Sequence, residues 1–285
     1  MPDFGSFRGF GEKLAQGQTP TQLGLIGSLA TFVGVLDFYP NAARAYSLRL
    51  LTANYGGYAI RVRRSNDNAE LDIGFTALGG LDTSALTTFV DVHSGFVTTW
   101  YDQSGNGFNA VQTTAANQPV IVTAGVLETR TGIGATRPAV RFNNVDSTSL
   151  SFTEITNVKS AFIVLRRRIA IANWIFWMSG GDYHPDQTLN AVWLHPTYAS
   201  ASVRNGVNRL NGTNTDLTTT SQADGLKTIS CVNDGTSAIS GIGLGFYGAG
   251  RDWDGHQSEL IIYSTDQTSS RTGIENNINT YYGIY

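Results

Sequence analysis

Cysteine is nearly missing from this chain. Cys231 stands alone among 285 residues, so no disulfide can form within the chain. None is needed, because folding at this length buries roughly three quarters of the unfolded surface. A lone cysteine in a strand-like "KTISCVN" reads as a buried thiol and fits assembly in a reducing compartment. Charge is scarce too: 14% of residues, against about 25% in ordinary domains. Nineteen basic residues against 22 acidic ones leave a net charge of −3, which excludes a general attraction to nucleic acid or to an anionic membrane. The one basic cluster, Arg166-Arg167-Arg168, follows an apolar run, and strand alternation sends Arg167 to the face opposite its neighbours. The apolar stretch "LGLIGSLATFVGVL" is glycine-broken and too short to span a bilayer, and the first residues lack the basic start and apolar centre of a signal peptide. No nucleophile elbow of the G-x-S-x-G type occurs.

What is abundant is glycine, 32 residues, together with Thr, Ser and Asn. That composition suits many short strands joined by turns. From about residue 138 the expected strands are "PAVRFN", "SLSFT", "SAFIVLRRRIA", "NWIFWMSG", "NAVWLHP", "ASVRNG", "LKTISCVND", "GIGLGFY" and "HQSELIIYST". "YAIRVRRS" and "GFVTTW" are earlier strands, and "LDTSALTTFVD" is a brief helix capped by Asp82. "PNAARAYSLRLLTANYGG" is expected to be a helix capped by Asn41, with an apolar stripe at Ala43, Tyr46 and Leu50 and a stop at Gly56-Gly57. A last helix buries Ile274, Ile278 and Tyr281, takes a cap from a Ser or Thr near 268–270, and ends at Gly283. Residues 1–40 differ from the rest. Phe4, Phe7 and Phe10 recur among glycines and suit an arm that docks on a neighbouring chain. The expected organisation is an arm over 1–40 and a two-sheet sandwich over 41–285.

The segment "TTWYDQSGNGFNAV" carries the densest motif. Asp102 and Ser104 can bond nearby backbone N–H groups, while Gly105, with Gly107 after Asn106, can supply positive φ. Trp100 and Tyr101 alternate out of the preceding strand. Together these residues predict a structural corner rather than a catalytic loop, since Asp102 has no second carboxylate nearby in sequence. "SGGDYHPDQ" brings together Asp182, His184 and Asp186, a metal-ligand spacing that is more often only a polar loop. "GAGRDWDGHQSE" holds Asp252, Trp253, Asp254, His256 and Glu259. Carboxylates on a sandwich rim can take Ca²⁺ or, with a tryptophan face, a sugar; otherwise the loop is a solvated turn with Trp253 packed on the sandwich end. No cofactor is expected.

The run "AYSLRLL…YAIRVRRSNDNAELDIGF…LDTSALTTFV…GFVTTWYDQSGNGFNAVQTTAANQPVI" resembles the catalytic-like segment of fungal α-L-arabinofuranosidase B, which is also found in tailed-bacteriophage and bacterial proteins. The ending "WDGHQSELIIYS…IENNINTYYGIY" is similar to the last strand and closing helix of concanavalin A-like (laminin G-like) sandwiches, and the opening "FRGFGEKLAQGQTPTQLG" resembles the start of some phage structural proteins. The resemblance implies a mainly β, jelly-roll sandwich of two antiparallel sheets. A glycosidase of that family uses two carboxylates, one of them a glutamate in a Met-Glu-Asn context. The nearest segment here, "ASVRNGVNRLNG", has Asn205 and no acid, and the family's late aspartate meets only Asp252 and Asp254. The family's cysteine pair is missing as well. From these departures the expectation is a non-enzymatic virion structural protein of a tailed phage, assembled in the host cytoplasm. It would be docked by its arm to other virion proteins, be homo-oligomeric, and contact host surface polysaccharide. The alternatives are a carbohydrate-binding module and a divergent arabinofuranosidase-like hydrolase.

Overall fold

The computed structural model describes residues 32–168, 182–185, 192–245 and 252–285. The arm residues Phe4, Phe7 and Phe10, the strand expected over 173–180, and Asp186 lie outside the described residues. The first elements are helix α1 (Val35–Phe38), strands β1 (Arg44–Ser47), β2 (Ile60–Arg64) and β3 (Glu70–Ile73), helix α2 (Thr83–Val90), and strands β4 (Gly95–Trp100), β5 (Ala110–Val111), β6 (Val120–Thr123), β7 (Val126–Leu127), β8 (Thr129–Thr131), β9 (Thr136–Pro138) and β10 (Val140–Phe142). Then come β11 (Leu150–Ile155), β12 (Ser160–Arg167), helix α3 (Ala201–Arg204), β13 (Val207–Leu210), β14 (Thr213–Asn214), β15 (Lys227–Val232), β16 (Gly241–Leu244), β17 (Gly255–Tyr263) and helix α4 (Arg271–Tyr282).

The fold is mainly β. One ladder runs β14-β13-β15-β12-β17-β10-β6-β4-β5-β11-β16, and β8 and β9 form a separate hairpin. The two layers expected of a sandwich are thus continuous in hydrogen bonding. The link from β10 to β6 is a single residue pair, Arg141 with Val120. Side chains from both halves of the ladder meet in one core: Ile163, Ile229 and Leu260 from one half, Val97, Trp100 and Leu150 from the other. Alternation along β12 and β17 sends Phe162, Val164 and Ile261 to the opposite face, where Ile274, Ile278 and Tyr282 of α4 cover them. Covered on both faces, β17 is buried over its whole length.

Helix α2 forms as its sequence predicts, with Asp82 Oδ1 accepting from Ala85 N–H at 2.9 Å. Helix α4 also forms and ends at left-handed Gly283. Its N-cap is Ser270, whose side chain makes no capping hydrogen bond, and Tyr282 is more deeply buried than Tyr281.

Two expectations need correction. The helix expected over 40–57 is instead strand β1, paired antiparallel with β17 from Arg44↔Ile262 to Ser47↔Glu259. Tyr46 enters the main core while Ala45 joins the α4-covered cluster, so both sides of the strand are buried and the apparent helical stripe is one face of a two-sided burial. Asn41 has φ 66° and caps nothing. Second, "ASVRNG" is the short helix α3, and "NAVWLHP" contributes only an isolated bridge from Val192 to Ser221. One compact unit spans Phe32–Tyr285. Val35 and Leu36 of α1 are buried in the α4-covered cluster.

Candidate active site

The motif after β4 is built into the frame. Asp102 is almost fully buried, and its carboxylate accepts from Ala45 N–H (2.9 Å), Ser104 N–H (2.9 Å), Ser104 Oγ–H (2.8 Å) and Phe108 N–H (3.1 Å). Gln103, buried next to it, accepts from Leu51 N–H and donates to the carbonyls of Ser47 and Arg49. Asn106 donates to the carbonyls of Ala42 and Ala43, Gly105 and Gly107 hold φ of 87° and 76°, and Tyr101 donates to Asp72. Trp100 lies in the core. These residues supply the polar partners that β1 lacks along its non-ladder side. The cavity beside this corner, about 410 Å³, has Asp37 as its sole carboxylate. Burial raises the pKa of that group, but hydrogen bonds from Thr52, Ala53 and Gly34 outweigh it and hold the carboxyl below the usual range. The corner contains no catalytic pair.

A second cavity, about 350 Å³, does bring two carboxylates together. It is lined by Glu128, Arg130, Arg141, Phe142, Asn143, Arg166, Arg168, Asp254 and His256. The sheet register makes it: Arg141 and Arg166 are the Cα partners of His256 from the strands on either side. All three are on the face turned away from the main core, whereas Phe142 and Leu165 point into that core. Glu128 sits between β7 and β8, its backbone tied to Ile121 and Ala139. Gly255 lets β17 approach β12 here: a Cβ at this position would be 2.1 Å from the carbonyl oxygen of Arg166.

Glu128 is surrounded by partners. His256 Nε2 is 3.3 Å from its Oε2, Arg141 Nε 3.5 Å from Oε1, Arg130 Nη2 3.6 Å from Oε2, and Thr123 Oγ1 donates to Oε1 at 2.8 Å. The His256 contact, acting against burial and aided by Thr123 and Arg141, holds the Glu128 carboxyl down at about 2. Asp254 is the opposite case. Burial pushes its pKa above the usual carboxylate value, and Arg168 (4.0 Å), Arg141 and Arg167 only partly counter that. Burial holds His256 neutral by lowering it to about 4, although Glu128 pulls the other way. Near neutral pH the cavity therefore offers one firmly ionised carboxylate and one that retains its proton more readily. Such a split assigns acid and base roles in paired-carboxylate sites.

Of the rim residues singled out in the sequence, Asp254 and His256 line this cavity. Trp253 does not: it is fully buried in the main core, so neither face of its ring is free to stack on a sugar. Asp252 is buried and accepts from Ser147 Oγ–H at 2.9 Å. Glu259 is sealed in an ion pair with Arg49 at 2.7 Å. Asp182 accepts from Ser240, and His184 packs against the rings of His195 and Tyr198. No group of three or more His, Cys, Asp or Glu residues is placed to hold a metal among the described residues. The basic run divides as alternation predicts, with Arg167 buried and Arg166 and Arg168 at the cavity. Sequence reasoning missed Glu128, Arg130 and Arg141. Their only signal was a charged residue at an outward position of a short strand or turn.

Residues 39–145 match the sequence model of the family described as "Alpha-L-arabinofuranosidase B, catalytic". No curated protein matches. Among solved structures, a GH54 α-L-arabinofuranosidase soaked with a cyclic sulfate inhibitor superposes with TM-score 0.52, 15% identity and 85% coverage of this chain. An arabinofuranosidase complexed with arabinofuranosyl-α-1,2-xylobiose superposes with TM-score 0.54 at the same 15% identity and 85% coverage. This chain spans 63% of the length of each. At that identity the likeness is one of fold. The family match overturns the expectation of a non-enzymatic virion structural protein, because the matched model describes a catalytic domain.

Proposed function

We propose that this chain is a divergent glycoside hydrolase that removes α-L-arabinofuranosyl groups, with Glu128 and Asp254 as its carboxylates. The observation that carries this reading is the pair itself: two carboxylates on one cavity, with acidities driven apart by their surroundings. The match of residues 39–145 to an arabinofuranosidase catalytic domain supports the substrate class, and Glu128 and Arg141 lie within that match. Asp254, whose burial favours the protonated form, donates a proton to the glycosidic oxygen as the bond to the anomeric carbon breaks. Glu128, held at about 2, is too weak a base to take a proton from water efficiently. Its role is direct attack on the anomeric carbon, which gives a glycosyl-ester intermediate. Asp254, now ionised, then takes a proton from the water that cleaves this ester, and the anomeric configuration is retained.

The test is turnover of 4-nitrophenyl α-L-arabinofuranoside. Glu128→Gln is expected to lower kcat by about 10²–10⁴-fold. Asp254→Asn is expected to cost less on this activated aryl leaving group than on a sugar leaving group, which needs the proton. NMR of the first-formed product should show the retained anomer. A wild-type chain with no turnover, or two variants as active as wild type, would overturn the reading.

A further inference from the structure

The candidate cavity holds more positive charge than hydrolysis of a neutral sugar calls for. Four arginines line it against two carboxylates. Arg166 is also paired at the rim with Asp224, at 2.8 and 3.1 Å. Counting that third carboxylate, with all three ionised, still leaves an excess of one positive charge. His256 stays neutral near pH 7 and adds nothing to it. The cations press on one another: burial, with Arg166 and Arg141 nearby, lowers the proton affinity of the Arg130 guanidinium even though Glu128 opposes the change.

Hydrogen bonding is incomplete in the same place. Nε of Arg130 and Nδ1 of His256 are buried with no hydrogen-bond partner among the described residues, and Arg141 Nε has only its 3.5 Å ion-pair contact with Glu128. Buried arginine N–H donors left unpaired are costly, and a ligand oxygen would satisfy them. The strand order supplies the geometry. Arg141, His256 and Arg166 stand in register across β10, β17 and β12. Neighbouring strands are about 4.8 Å apart, so two arginines flank His256 with backbones roughly 10 Å apart. Two long side chains at that spacing can close on one planar oxyanion, and guanidinium groups are suited to bidentate contact with a carboxylate. At about 350 Å³ the cavity is far larger than a bare inorganic anion requires, since a water molecule takes up only about 30 Å³. Asn143 and Asp254 on the wall offer partners for hydroxyl groups.

We propose that this cavity recognises a uronic acid residue, its carboxylate held between Arg141 and Arg166 above His256. Resting on the glycosidase reading, the proposal names the substrate as an acidic glycan bearing arabinofuranosyl branches. The test is calorimetric titration of the full chain with oligomers of galacturonic acid, with neutral galactose oligomers of equal length, and with inorganic phosphate alone. The acidic oligomer is expected to bind at least tenfold tighter than the neutral one. Raising the salt from 50 to 500 mM should erode that preference, and Arg166→Gln and Arg141→Gln should each reduce it severalfold. Equal affinity for acidic and neutral oligomers, or a preference untouched in both variants, would overturn the proposal. So would phosphate binding as tightly as the acidic sugar, which would leave a plain anion site. Should Arg141→Gln fail to fold, the rim variant Arg166→Gln and the wild-type salt dependence still decide. Turnover of the aryl arabinofuranoside without an acidic preference sinks this inference alone. An acidic preference without turnover sinks the hydrolase reading and leaves the binding site standing.

Discussion

Asp102 shows how one carboxylate can be essential without being catalytic. Three backbone N–H groups and one hydroxyl converge on it, and one of those donors, Ala45, belongs to a strand 57 residues away in sequence. Removing the acceptor leaves buried donors unpaired, each costing about 1–3 kcal/mol. Asp102→Ala should therefore destabilise the chain by about 3 kcal/mol, seen as a lower urea midpoint, while turnover per folded molecule stays as in wild type. A large loss of kcat with unchanged stability would instead place Asp102 in the chemistry. The turn propensities of Asp, Ser and Gly were legible in the sequence. The long-range partner was not, because side-chain hydrogen bonds across a sheet leave no periodic trace. Trp253 teaches the converse: an aromatic among acids in a glycine-rich loop reads as a sugar platform, yet its ring fills the core.

At the scale of elements, the site depends on how closely β12 and β17 approach each other at their shared end. Gly255 lies opposite Arg167 in the ladder, and the missing Cβ would fall against the backbone of Arg166. Backbone cannot swing aside as a side chain can. Gly255→Ala should thus push the two strands apart there, at a cost of about 1–3 kcal/mol. Because His256 and Asp254 flank the glycine, turnover should fall more than the stability loss alone explains. Thermal melts and kcat on the same preparation check both parts, and a variant with wild-type values for both would show that the ladder tolerates the change. Elements with a strong local signal were readable: the apolar, β-branched runs of β12 and β15, the Asp82 cap of α2, the closing Gly283 of α4. Strand β1 was not, since a strand buried on both faces loses the period-2 signal and leaves an apolar spacing that fits a helix equally well.

For the molecule as a whole, the sandwich was legible from its many short alternating strands. The cavity was not, since its parts come from positions 128–130, 141–143, 166–168 and 254–256 and meet only through the strand order β12-β17-β10. That assembly should leave its mark on acid stability. His256 titrates near 4 in the folded chain and at about 6.5 when unfolded. Between those values only the unfolded chain binds the proton, so stability falls as pH drops through this window, by up to about 3 kcal/mol for a shift of roughly 2.5 units. Asp252 and Asp254 act in the opposite sense: their raised pKa values make the folded chain the better proton binder just above the usual carboxylate range, which softens the loss. Glu128, held at about 2 against roughly 4.3 unfolded, adds its stability above that range and loses it as pH falls toward 2. Urea unfolding at pH 7, 5.5 and 4 should then show a steady decline in wild type. His256→Gln, less stable at pH 7 through lost contacts, should decline much less between pH 6.5 and 4 and rejoin the wild-type slope below 4, where Glu128 and other hydrogen-bonded carboxylates such as Asp72 and Asp224 take over. Parallel curves for the two proteins across pH 6.5 to 4 would mean that His256 is charged in the fold. In that case the excess positive charge of the cavity would be larger by one, and the division of labour between Glu128 and Asp254 would have to be redrawn.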